Sequence, residues 1–378
     1  MNIALFHVTL PVPNRKPGGV SVAVDRLATA LSAHPSDAVT VFSLTPGPAA
    51  PAYRHVQLFP DKPWLQTPPT SHVALPLLLN SVSFADFDVL HLHGDDWFFV
   101  RRALPTVRTL HGSALHEARF ATSNKRRLSQ RLLYPLEQLS ARLATVTAAV
   151  GPETARVYHT PHVVGNGVDL DHFCPGPKSA HPSILFVGTW AGRKRGEMLY
   201  DTFTNEIAPR HPTARLYMVS DACPPHDQVV HVQRPSDEAL ADLYRQAWVF
   251  AYPSVYEGFG IPYLEAMASG TPVLCSPNEG AEYVLDGGRY GWIRSDAAFS
   301  SALNDLLVDA SARTALATEG RKRARDFTWT NVARHHRQLY ETAIDRFSGR
   351  PCSSPRSASA SGDTTLAPKK LSSAAPNS

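Results

Sequence analysis

Cysteine, long apolar runs and net charge are all scarce in this sequence of 378 residues. The 4 cysteines lie far apart and form no CxxC pair, which argues against a disulfide framework or a zinc site and favours reduced thiols. No stretch approaches the roughly 18 apolar residues of a membrane-spanning helix. A formal net charge of +4 gives no sign of a broad nucleic-acid footprint. We therefore expect no nucleic-acid partner. Because the apolar stretch at the N-terminus is too short and too proline-broken for a signal peptide, we expect a cytoplasmic protein.

Short apolar runs alternate with amphipathic segments through most of the chain. The 43% hydrophobic and 19% charged residues are typical of a soluble globular protein, and the length predicts two domains. Strand-like runs include NIALFHV, AVTVFSL, FDVLHLHG and TVRTLHG in the first half, and SILFVGTW, ARLYMVS, WVFAYPS and TPVLCSP in the second. Helical segments between them include GGVSVAVDRLATALSA, GEMLYDTFTNEIA, SDEALADLYRQA and GIPYLEAMASG. This alternation predicts two α/β domains, each a doubly wound parallel sheet.

A proline-rich segment, FCPGPKSAHP, separates the two α/β patterns. We predict one Rossmann-like domain over residues 1–165, a linker over residues 166–182 and a second Rossmann-like domain over residues 183–328. An amphipathic helix over residues 329–347 closes the fold. Residues 348–378 are rich in Ser, Ala and Pro, and their composition predicts a disordered tail.

Two glutamates, Glu257 and Glu265, flank a glycine turn in SVYEGFGIPYLEAMASGTPVL. The turn follows a strand, Pro262 fits the first turn of a helix, and Gly270 fits its end. The segment therefore lies at the carboxyl edge of a parallel sheet, where open α/β sheets bind ligands. Glycine amides and a helix start favour phosphate, whereas carboxylates accept hydrogen bonds from sugar hydroxyls. The pattern predicts a nucleotide-sugar site.

The segment EGFGIPYLEAMASGTPV resembles the E-x7-E donor signature of retaining GT-B glycosyltransferases, above all glycosyltransferase family four. Five further segments resemble that family in the family's own order: PGGVSVAVDRLATAL, VRTLHG, VGNGVDLDHFCP, ILFVGTWAGRKRG and FTWTNVARHHRQLYE. The resemblance covers roughly residues 1–345. It implies a GT-B fold, in which an N-terminal acceptor domain and a C-terminal nucleotide-sugar donor domain face an interdomain cleft and the last helix crosses back to the N-terminal domain.

The resemblance also implies roles for residues of the second domain. Glu265 would bind the ribose hydroxyls of the donor. Glu257 would hold the donor sugar together with the backbone amides of Gly258, Phe259 and Gly260. The family acts without a metal, so the resemblance implies no cofactor and no metal site, and the leaving diphosphate itself would help to deprotonate the acceptor.

Roles in the first domain follow from the same resemblance. Gly18 and Gly19 would approach the donor phosphate and the acceptor from across the cleft. His111 would lie near the anomeric carbon and contact a sugar hydroxyl.

The sequence departs from the family pattern in its basic loop. Thr189 stands where the family usually has an arginine, and Arg195 stands where it usually has a lysine. Arg193 and Lys194 lie beside it in GRKRG, so the positive charge is preserved and the cation that meets the pyrophosphate is left open. The family glycine before SDEAL is replaced by an Arg-Pro pair at residues 234–235, which predicts a different base-recognition loop.

Two segments offer a metal-binding alternative. HLHGDD places two histidines and two aspartates on and after one strand, and alternate strand residues share a face: His91, His93, Asp95 and Asp96. DLD, at residues 169–171, matches the Asp-x-Asp of metal-dependent GT-A transferases but lies in the interdomain segment. The family resemblance predicts a metal at neither.

We therefore expect a retaining, metal-independent hexosyltransferase-type enzyme of carbohydrate biosynthesis. It would move a sugar from a nucleotide-diphosphate sugar to an acceptor hydroxyl. The acceptor would be a glycan, a glycolipid or other lipid-linked sugar, or a small molecule. The alternative is a catalytically inactive sugar-nucleotide-binding subunit, which Thr189 favours. A nicotinamide oxidoreductase would need a G-x-G-x-x-G turn that KPGGVSV lacks. The basic amphipathic stretch over residues 124–134 is either a solvated helix face or a peripheral contact with the inner face of the membrane.

Overall fold

The computed structural model describes residues 1–12, 18–67, 70–100, 103–121 and 123–349. Two parallel sheets, each flanked by helices, follow one another along the chain. The α/β class and the pair of doubly wound sheets predicted from the sequence are confirmed. The tail prediction falls almost entirely on residues 350–378, which lie outside the described residues.

The N-terminal sheet has seven parallel strands in the order β3-β2-β1-β4-β5-β6-β7. Its order changes direction between β1 and β4, which is the topological switch point where such sheets form a ligand crevice. The strands are β1 Asn2–Phe6, β2 Ala38–Ser43, β3 Arg54–Gln57, β4 Val89–Leu92, β5 Thr106–Leu110, β6 Val146–Ala149 and β7 His162–Val163.

Five α-helices accompany this sheet in the part of the chain that the structure describes. Their apolar faces pack onto the strands. In the first helix Val24, Leu27 and Leu31 are buried, and Val20 is partly buried beside them. The helices are α1 Gly19–Ser32, α2 Thr70–Leu78, α3 Ala114–Arg119, α4 Asn124–Leu143 and α5 Pro152–Tyr158.

The C-terminal sheet has six parallel strands in the order β10-β9-β8-β11-β12-β13. Its switch point lies between β8 and β11, so this sheet repeats the winding of the first. The strands are β8 Ser183–Val187, β9 Arg215–Val219, β10 Val229–Val232, β11 Val249–Tyr252, β12 Val273–Cys275 and β13 Trp292–Ile293.

Seven further α-helices follow in the described part of the chain: α6 Gly196–Thr202, α7 Asp237–Gln246, α8 Ile261–Ala268, α9 Glu279–Val284, α10 Asp296–Val308, α11 Ala310–Ala324 and α12 Trp329–Phe347. The predicted helix GEMLYDTFTNEIA is α6 followed by a π-helical turn over Phe203–Ile207. That turn buries Phe203 and Ile207 in the core of the second domain.

The last helix, α12, packs on the N-terminal domain although it follows the C-terminal one. Leu339, Tyr340 and Ala343 are buried in one cluster with Ile3, Leu5 and other residues of the first sheet and α1. The chain thus crosses between the domains twice, which ties the two halves of the cleft together. No helix in the described ranges combines the length and the apolar character needed to span a bilayer.

Candidate active site

The turn between β11 and α8 forms the C-terminal wall of the candidate site. Gly260 adopts a φ of +101°, and a Cβ at this position would lie 2.4 Å from the Tyr263 ring, so only glycine fits. Pro262 occupies the first turn of α8, and Gly270, at a φ of +65°, follows its end. The turn therefore holds Glu257 and the glycine amides at the carboxyl end of β11, as the sequence predicts.

Glu257 is buried and bound by three polar groups. Ser254 Oγ donates a hydrogen bond to Glu257 Oε1 at 2.6 Å, and Lys194 Nζ lies 2.5 Å from the same oxygen. Arg193 Nη1 lies 3.1 Å away. Burial alone would raise the pKa of Glu257, but Lys194 and Arg193 outweigh it and lower the pKa. Glu257 is therefore ionised at neutral pH.

Lys194 is the most enclosed cation of the site. Its ammonium also hydrogen-bonds to the Tyr252 hydroxyl, and it lies 4.8 Å from the centre of that ring. Burial lowers the pKa of Lys194, and the charge of Glu257 opposes this effect. Lys194 and Glu257 therefore form one electrostatic unit, in which each charge favours the charged form of the other.

Arg193 and Arg195 point to different partners although they are two positions apart. Arg193 Nη1 donates to the Tyr256 carbonyl at 2.7 Å, and Arg193 Nε lies 3.5 Å from Glu117 of α3. Arg195 instead pairs with Asp296, with an Nη2–Oδ1 distance of 2.6 Å. Arg193 and Lys194 therefore contact Glu257, whereas Arg195 contacts Asp296 instead.

Glu265 lies half-buried in α8, on the side that faces Lys194. Burial raises the pKa of Glu265 to about 7, and the Tyr244 hydroxyl and Lys194 act in the opposite direction. The same Lys194 lowers the pKa of Glu257. Lys194 therefore influences the pKa of both glutamates of the signature, and Arg193 and Lys194 contact Glu257 directly.

His111 lies at the end of β5, on the N-terminal wall. Its Nε2 atom is 2.9 Å from Nδ1 of His93, which follows β4. Burial lowers the pKa of His111 well below its usual value, and the positive charge of Arg108 acts in the same direction. His111 is therefore a neutral imidazole, which can exchange hydrogen bonds with a sugar but carries no charge.

Glycines let the two walls touch. A Cβ at Gly258 would lie 3.0 Å from the carbonyl oxygen of His111, and a Cβ at Gly151 would lie 2.3 Å from the carbonyl oxygen of Gly258. Likewise, a Cβ at Gly165 would lie 2.5 Å from the ring of Phe259. The turn over residues 257–260 thus lies directly against the N-terminal domain, and a side chain at any of these glycines would collide with the opposite wall.

Gly18 and Gly19 begin α1 at the carboxyl edge of the N-terminal sheet. Gly18 is the N-cap residue, and Ser21 Oγ is the nearest atom to a Cβ built on it, at 3.7 Å. A Cβ on Gly19 would meet nothing within 4 Å, so the start of α1 faces open space. The structure shows no contact of either glycine with the glutamate pair.

Residues of the two metal-type segments have protein partners. His91 contacts Tyr340 Oη and Thr109 Oγ1, each at 2.8 Å, and Asp95 contacts His72 at 2.7 Å. Asp96 pairs with Arg108 at 3.1 Å. Asp169 accepts hydrogen bonds from the backbone of residues 171 and 172 and lies 3.5 Å from Arg26. Among the described residues, no group of three or more His, Cys, Asp or Glu could hold a metal ion.

Three features of the site were not predicted from the sequence. Glu117 reaches across the cleft to Arg193, and the Tyr256 ring stacks on Phe120 with centroids 5.5 Å apart. His93, considered only as a metal ligand, contacts His111. The alternate spacing of HLH was a visible signal for the last contact, whereas the other two depend on how the domains meet.

The two departures from the family pattern occupy the rim of the C-terminal domain. Thr189 Oγ1 donates to the Ala191 carbonyl at 2.9 Å, so it shapes the loop and brings no charge. Arg234 has a positive φ of 49°, and Ser236 caps α7 by accepting a hydrogen bond from Ala239 N at 3.2 Å. The Arg-Pro pair therefore makes a left-handed turn where the family has glycine.

Comparison with protein families gives matches in both halves of the chain. A model described as Glycosyltransferase Family 4 matches residues 17–172, and a model described as Glycosyl transferases group 1 matches residues 181–309. The chain belongs to glycosyltransferase family 4. The second match includes both glutamates and the GRKRG loop, and the first includes His111.

Curated relatives of this family 4 chain are distant. D-inositol 3-phosphate glycosyltransferase of Corynebacterium kroppenstedtii is 29% identical over 229 residues, which cover 51% of this chain and 51% of that protein. The chain thus spans about half the length of this relative. An uncharacterised glycosyltransferase of Methanocaldococcus jannaschii is 25% identical over 400 aligned positions, covering 91% of this chain and 99% of that protein.

Solved structures share the fold of this family 4 chain. Sucrose-phosphate synthase from Thermosynechococcus elongatus superposes with a TM-score of 0.72 at 22% identity, covering 90% of this chain and 98% of that one. HepE of Anabaena in complex with UDP-glucose superposes with a TM-score of 0.67 at 14% identity, covering 90% and 100%. The fold is therefore GT-B.

Proposed function

We propose that this chain moves a sugar from a nucleotide-diphosphate sugar to an acceptor hydroxyl, with retention at the anomeric carbon and without a metal. One observation carries the proposal: Lys194 and Arg193 converge on the buried Glu257, in a turn that touches the backbone of His111. This arrangement puts positive charge, a carboxylate and a neutral imidazole within one interdomain cleft.

The charges of this cluster suit a diphosphate. Two cations contact the carboxylate of Glu257, and the second carboxylate of the cluster, Glu117, lies 3.5 Å from Arg193, so it balances the charge of Arg193 only from a distance. Fixed cations that meet a developing phosphate charge stabilise the transition state, as a metal ion does in other transferases. We assign this role to Lys194 and Arg193, and we give Arg195 a supporting role because Asp296 already binds it.

The hydroxyl groups of the donor fit the two carboxylates. Glu257, ionised and next to the Gly258–Gly260 amides, would hold the sugar that is transferred. Glu265 would accept hydrogen bonds from the ribose, one helical turn into α8. His111 would contact the transferred sugar from the N-terminal wall, and Gly18 and Gly19 leave space for phosphate and acceptor at the start of α1.

The proposal of retention follows from the family resemblance and from the position of the cations. With Lys194 and Arg193 on the side of the leaving diphosphate, the acceptor hydroxyl would enter on the same face and pass its proton to a phosphate oxygen. The chain then needs no separate carboxylate base on the opposite face.

The proposal is tested first by binding. A thermal-shift panel of nucleoside diphosphates and nucleotide sugars should identify the donor, because a ligand at about a hundred times its dissociation constant adds roughly 2.7 kcal/mol of stability. UDP and UDP-glucose belong in the panel, since HepE was solved in complex with UDP-glucose. Nucleotide release in the presence of candidate acceptors then measures turnover, and the absence of stabilisation by every member would contradict the proposal.

Retention and metal independence need separate measurements. NMR of the product reports the anomeric configuration, and an inverted configuration would refute the mechanism above. Activity should survive EDTA, because Lys194 and Arg193 supply the charge. Complete loss of activity, restored by Mn²⁺ or Mg²⁺, would instead indicate a metal-dependent enzyme with a metal site at DLD or HLHGDD.

Thr189 keeps a second candidate function open, that of a non-catalytic sugar-nucleotide-binding subunit. Its hydroxyl is bound to the Ala191 carbonyl, so the position contributes no cation to the site. Stabilisation by a nucleotide sugar without nucleotide release, with any acceptor class, would favour this second function.

We also propose a lipid-linked acceptor, approached through α4. Residues 124–129 of this helix are all exposed, including Lys125, Arg126 and Arg127. Leu128 and Leu132, one turn apart, are 60% and 63% exposed, so apolar and basic side chains share the solvent-facing part of the helix. This composition fits the interface of an anionic membrane.

A further inference from the structure

A row of histidines lies behind the candidate site in the N-terminal domain. The rings of His91, in β4, and His93, which follows β4, are tilted against each other with centroids 3.9 Å apart, and the ring of His336 of α12 lies 4.9 Å from that of His91. Both ring nitrogens of His91 are engaged, by Tyr340 and Thr109. His336 and Tyr340 of α12 therefore pack against His91, and the two hydrogen bonds of His91 fix the orientation of its ring.

His93 connects this row to the site. It is 5% exposed, its Nδ1 atom lies 2.9 Å from His111 Nε2, and its own Nε2 atom is buried without a hydrogen-bond partner among the described residues. Burial lowers the pKa of His93 well below its usual value, as it does for His111. The contact therefore joins two neutral imidazoles, of which one donates and the other accepts.

The buried Nε2 atom of His93 decides between the two arrangements. If His93 accepted the hydrogen bond at Nδ1, its proton would lie on Nε2 and a buried N–H would lack a partner. Orphaned buried N–H groups are rarer than orphaned acceptors. His93 therefore donates from Nδ1, and His111 accepts at Nε2 and carries its own proton on Nδ1.

We propose that His93 is a positioning residue that holds His111 in the Nδ1–H tautomer and so presents an N–H donor to the substrate. The Nδ1 atom of His111 has no hydrogen-bond partner among the described residues, and it is not a buried atom. His111 would then donate to a sugar oxygen and could not serve as a base. The inference rests on the proposed function and specifies what His111 does in it.

Three substitutions of His93 separate donation from packing. Asparagine can place an amide N–H near the position of Nδ1 and should keep most of the activity. Aspartate has nearly the same shape as asparagine but can only accept a hydrogen bond, and leucine can neither donate nor accept one. H93D and H93L should therefore each lower kcat by about 10–100-fold, the usual scale for a group that orients another. Nucleoside diphosphate affinity should be unchanged in all three, because this ligand lacks the transferred sugar.

The tautomer itself is measured by long-range ¹H–¹⁵N NMR on protein labelled at histidine. The wild-type protein and H93N should show His111 protonated at Nδ1, whereas H93D should shift the proton to Nε2. A wild-type spectrum with the proton on Nε2 overturns the inference whether or not a donor has been found. Equal kcat values for H93N and H93D overturn it as well.

A double-variant cycle tests whether His93 acts through His111. If it does, H93L should lower kcat in the wild-type background and have no further effect in the H111A background. An equal loss in both backgrounds would mean that His93 only supports the fold. Failure of the proposed function is distinguished from both results, since it appears as no turnover by the wild-type protein while the NMR readout still decides the tautomer.

Discussion

At the level of single residues, the two glutamates of the signature experience opposite electrostatic environments. Both are removed from bulk water, which by itself raises the pKa of a carboxyl group. Lys194 and Arg193 reverse this effect for Glu257 and lower its pKa, whereas burial leaves the pKa of Glu265 raised to about 7. The same residue type thus has two electrostatic states in one site, which suits the roles proposed for Glu257 at the transferred sugar and for Glu265 at the ribose.

The substitution Glu257→Gln should affect turnover more than binding. Glutamine keeps the shape but removes the charge that faces Lys194 and Arg193, which the proposed function puts next to the bond that breaks. An interaction that strengthens in the transition state controls kcat, and losing one such contact costs about 10²-fold or more. We expect kcat to fall by that factor, measured as nucleotide release, with donor KM little changed.

The control for Glu257→Gln is the stability of the variant, because Lys194 loses its carboxylate partner. The melting temperature and the affinity for nucleoside diphosphate report whether the site remains folded. A variant that binds nucleoside diphosphate normally and turns over at the wild-type rate would contradict the assignment of Glu257 to the transferred sugar.

The substitution Glu265→Gln should weaken binding instead. The ribose is unchanged during the reaction, so its contacts contribute equally to ground and transition states. We expect a higher donor KM and an equally weaker affinity for plain nucleoside diphosphate in titration calorimetry, with kcat retained. An unchanged nucleoside diphosphate affinity would show that Glu265 does not hold the ribose.

The same variant should change how stability depends on pH. Because the pKa of Glu265 is raised from 4.5 to about 7 on folding, its contribution is present below pH 4.5 and is lost as the pH rises through 7. At 1.36 kcal/mol per pKa unit the upper limit is about 3 kcal/mol. The free energy of unfolding of Glu265→Gln should therefore rise relative to wild type between pH 5 and pH 8; a constant difference would refute the raised pKa.

At the level of elements, α4 differs from the other helices in the share of its surface that faces solvent. It begins with Ser123, whose side chain accepts a hydrogen bond from Arg126 N at 3.2 Å, and its first turn contains no acidic residue. Among its 20 residues, only Ser140 and Ala141 are buried. A helix of this length with so little packing needs another reason for its apolar side chains, and the proposed membrane contact supplies one.

Replacing Lys125, Arg126 and Arg127 with serine should release the protein from anionic vesicles. Each basic residue near such a surface contributes about 1 kcal/mol, so the three together amount to more than a 100-fold change in partitioning. Flotation with phosphatidylserine or phosphatidylglycerol vesicles measures the effect.

A matched control removes the same charge elsewhere. Arg289, Lys322 and Arg334 are exposed residues of the C-terminal region, and their replacement by serine should leave vesicle binding intact. If the unmodified protein does not bind anionic vesicles, the basic face of α4 is a solvated surface only.

At the level of the whole molecule, the structure has its two domains in contact across the site. Ser113 N lies 3.4 Å from Tyr256 Oη, Tyr256 stacks on Phe120, and Arg193 reaches Glu117. Glu117 also lies 3.5 Å from Arg126 of α4. An ionic chain thus runs from the basic helix through Glu117 to the cations of the site.

Glu117→Gln should therefore tighten nucleoside diphosphate binding. In the proposed function Glu117 would compete with the diphosphate for Arg193. Both side chains are more than a quarter exposed, which limits the strength of the pair. Exposed pairs contribute about 0.2–1 kcal/mol, so we expect a gain in affinity of up to about fivefold. Calorimetry at low and high salt measures it, and the gain should shrink as salt screens the pair.

The contrary outcome for Glu117→Gln is also informative. A weaker nucleoside diphosphate affinity would mean that Glu117 orients Arg193 for the ligand and does not compete with it. Asp242→Gln offers a matched control, since Asp242 forms an exposed ion pair with Arg245. Its affinity for nucleoside diphosphate should equal that of the wild type.

Local patterns in the sequence determined the strands, most helices and the positions of both glutamates. Apolar alternation sets strand and helix periods, and Gly260, Pro262 and Gly270 define the turn and helix of the signature by conformational rules that act within a few residues. The roles of Gly18, Gly19 and His111 remain predictions from the family resemblance. The sequence also showed that several cations lie near residue 194, because their spacing in GRKRG is visible without a structure.

Only the tertiary structure decided which groups meet. Adjacent residues of one turn diverge, so Arg195 pairs with Asp296 while Arg193 and Lys194 turn to Glu257, and no local rule distinguishes these directions. The contact of Glu117 with Arg193 joins the two domains, and that of His93 with His111 joins the ends of two neighbouring strands, β4 and β5. Such contacts depend on how sheets wind and domains close, and the resulting burial and charge determine pKa values that the residue types alone do not contain.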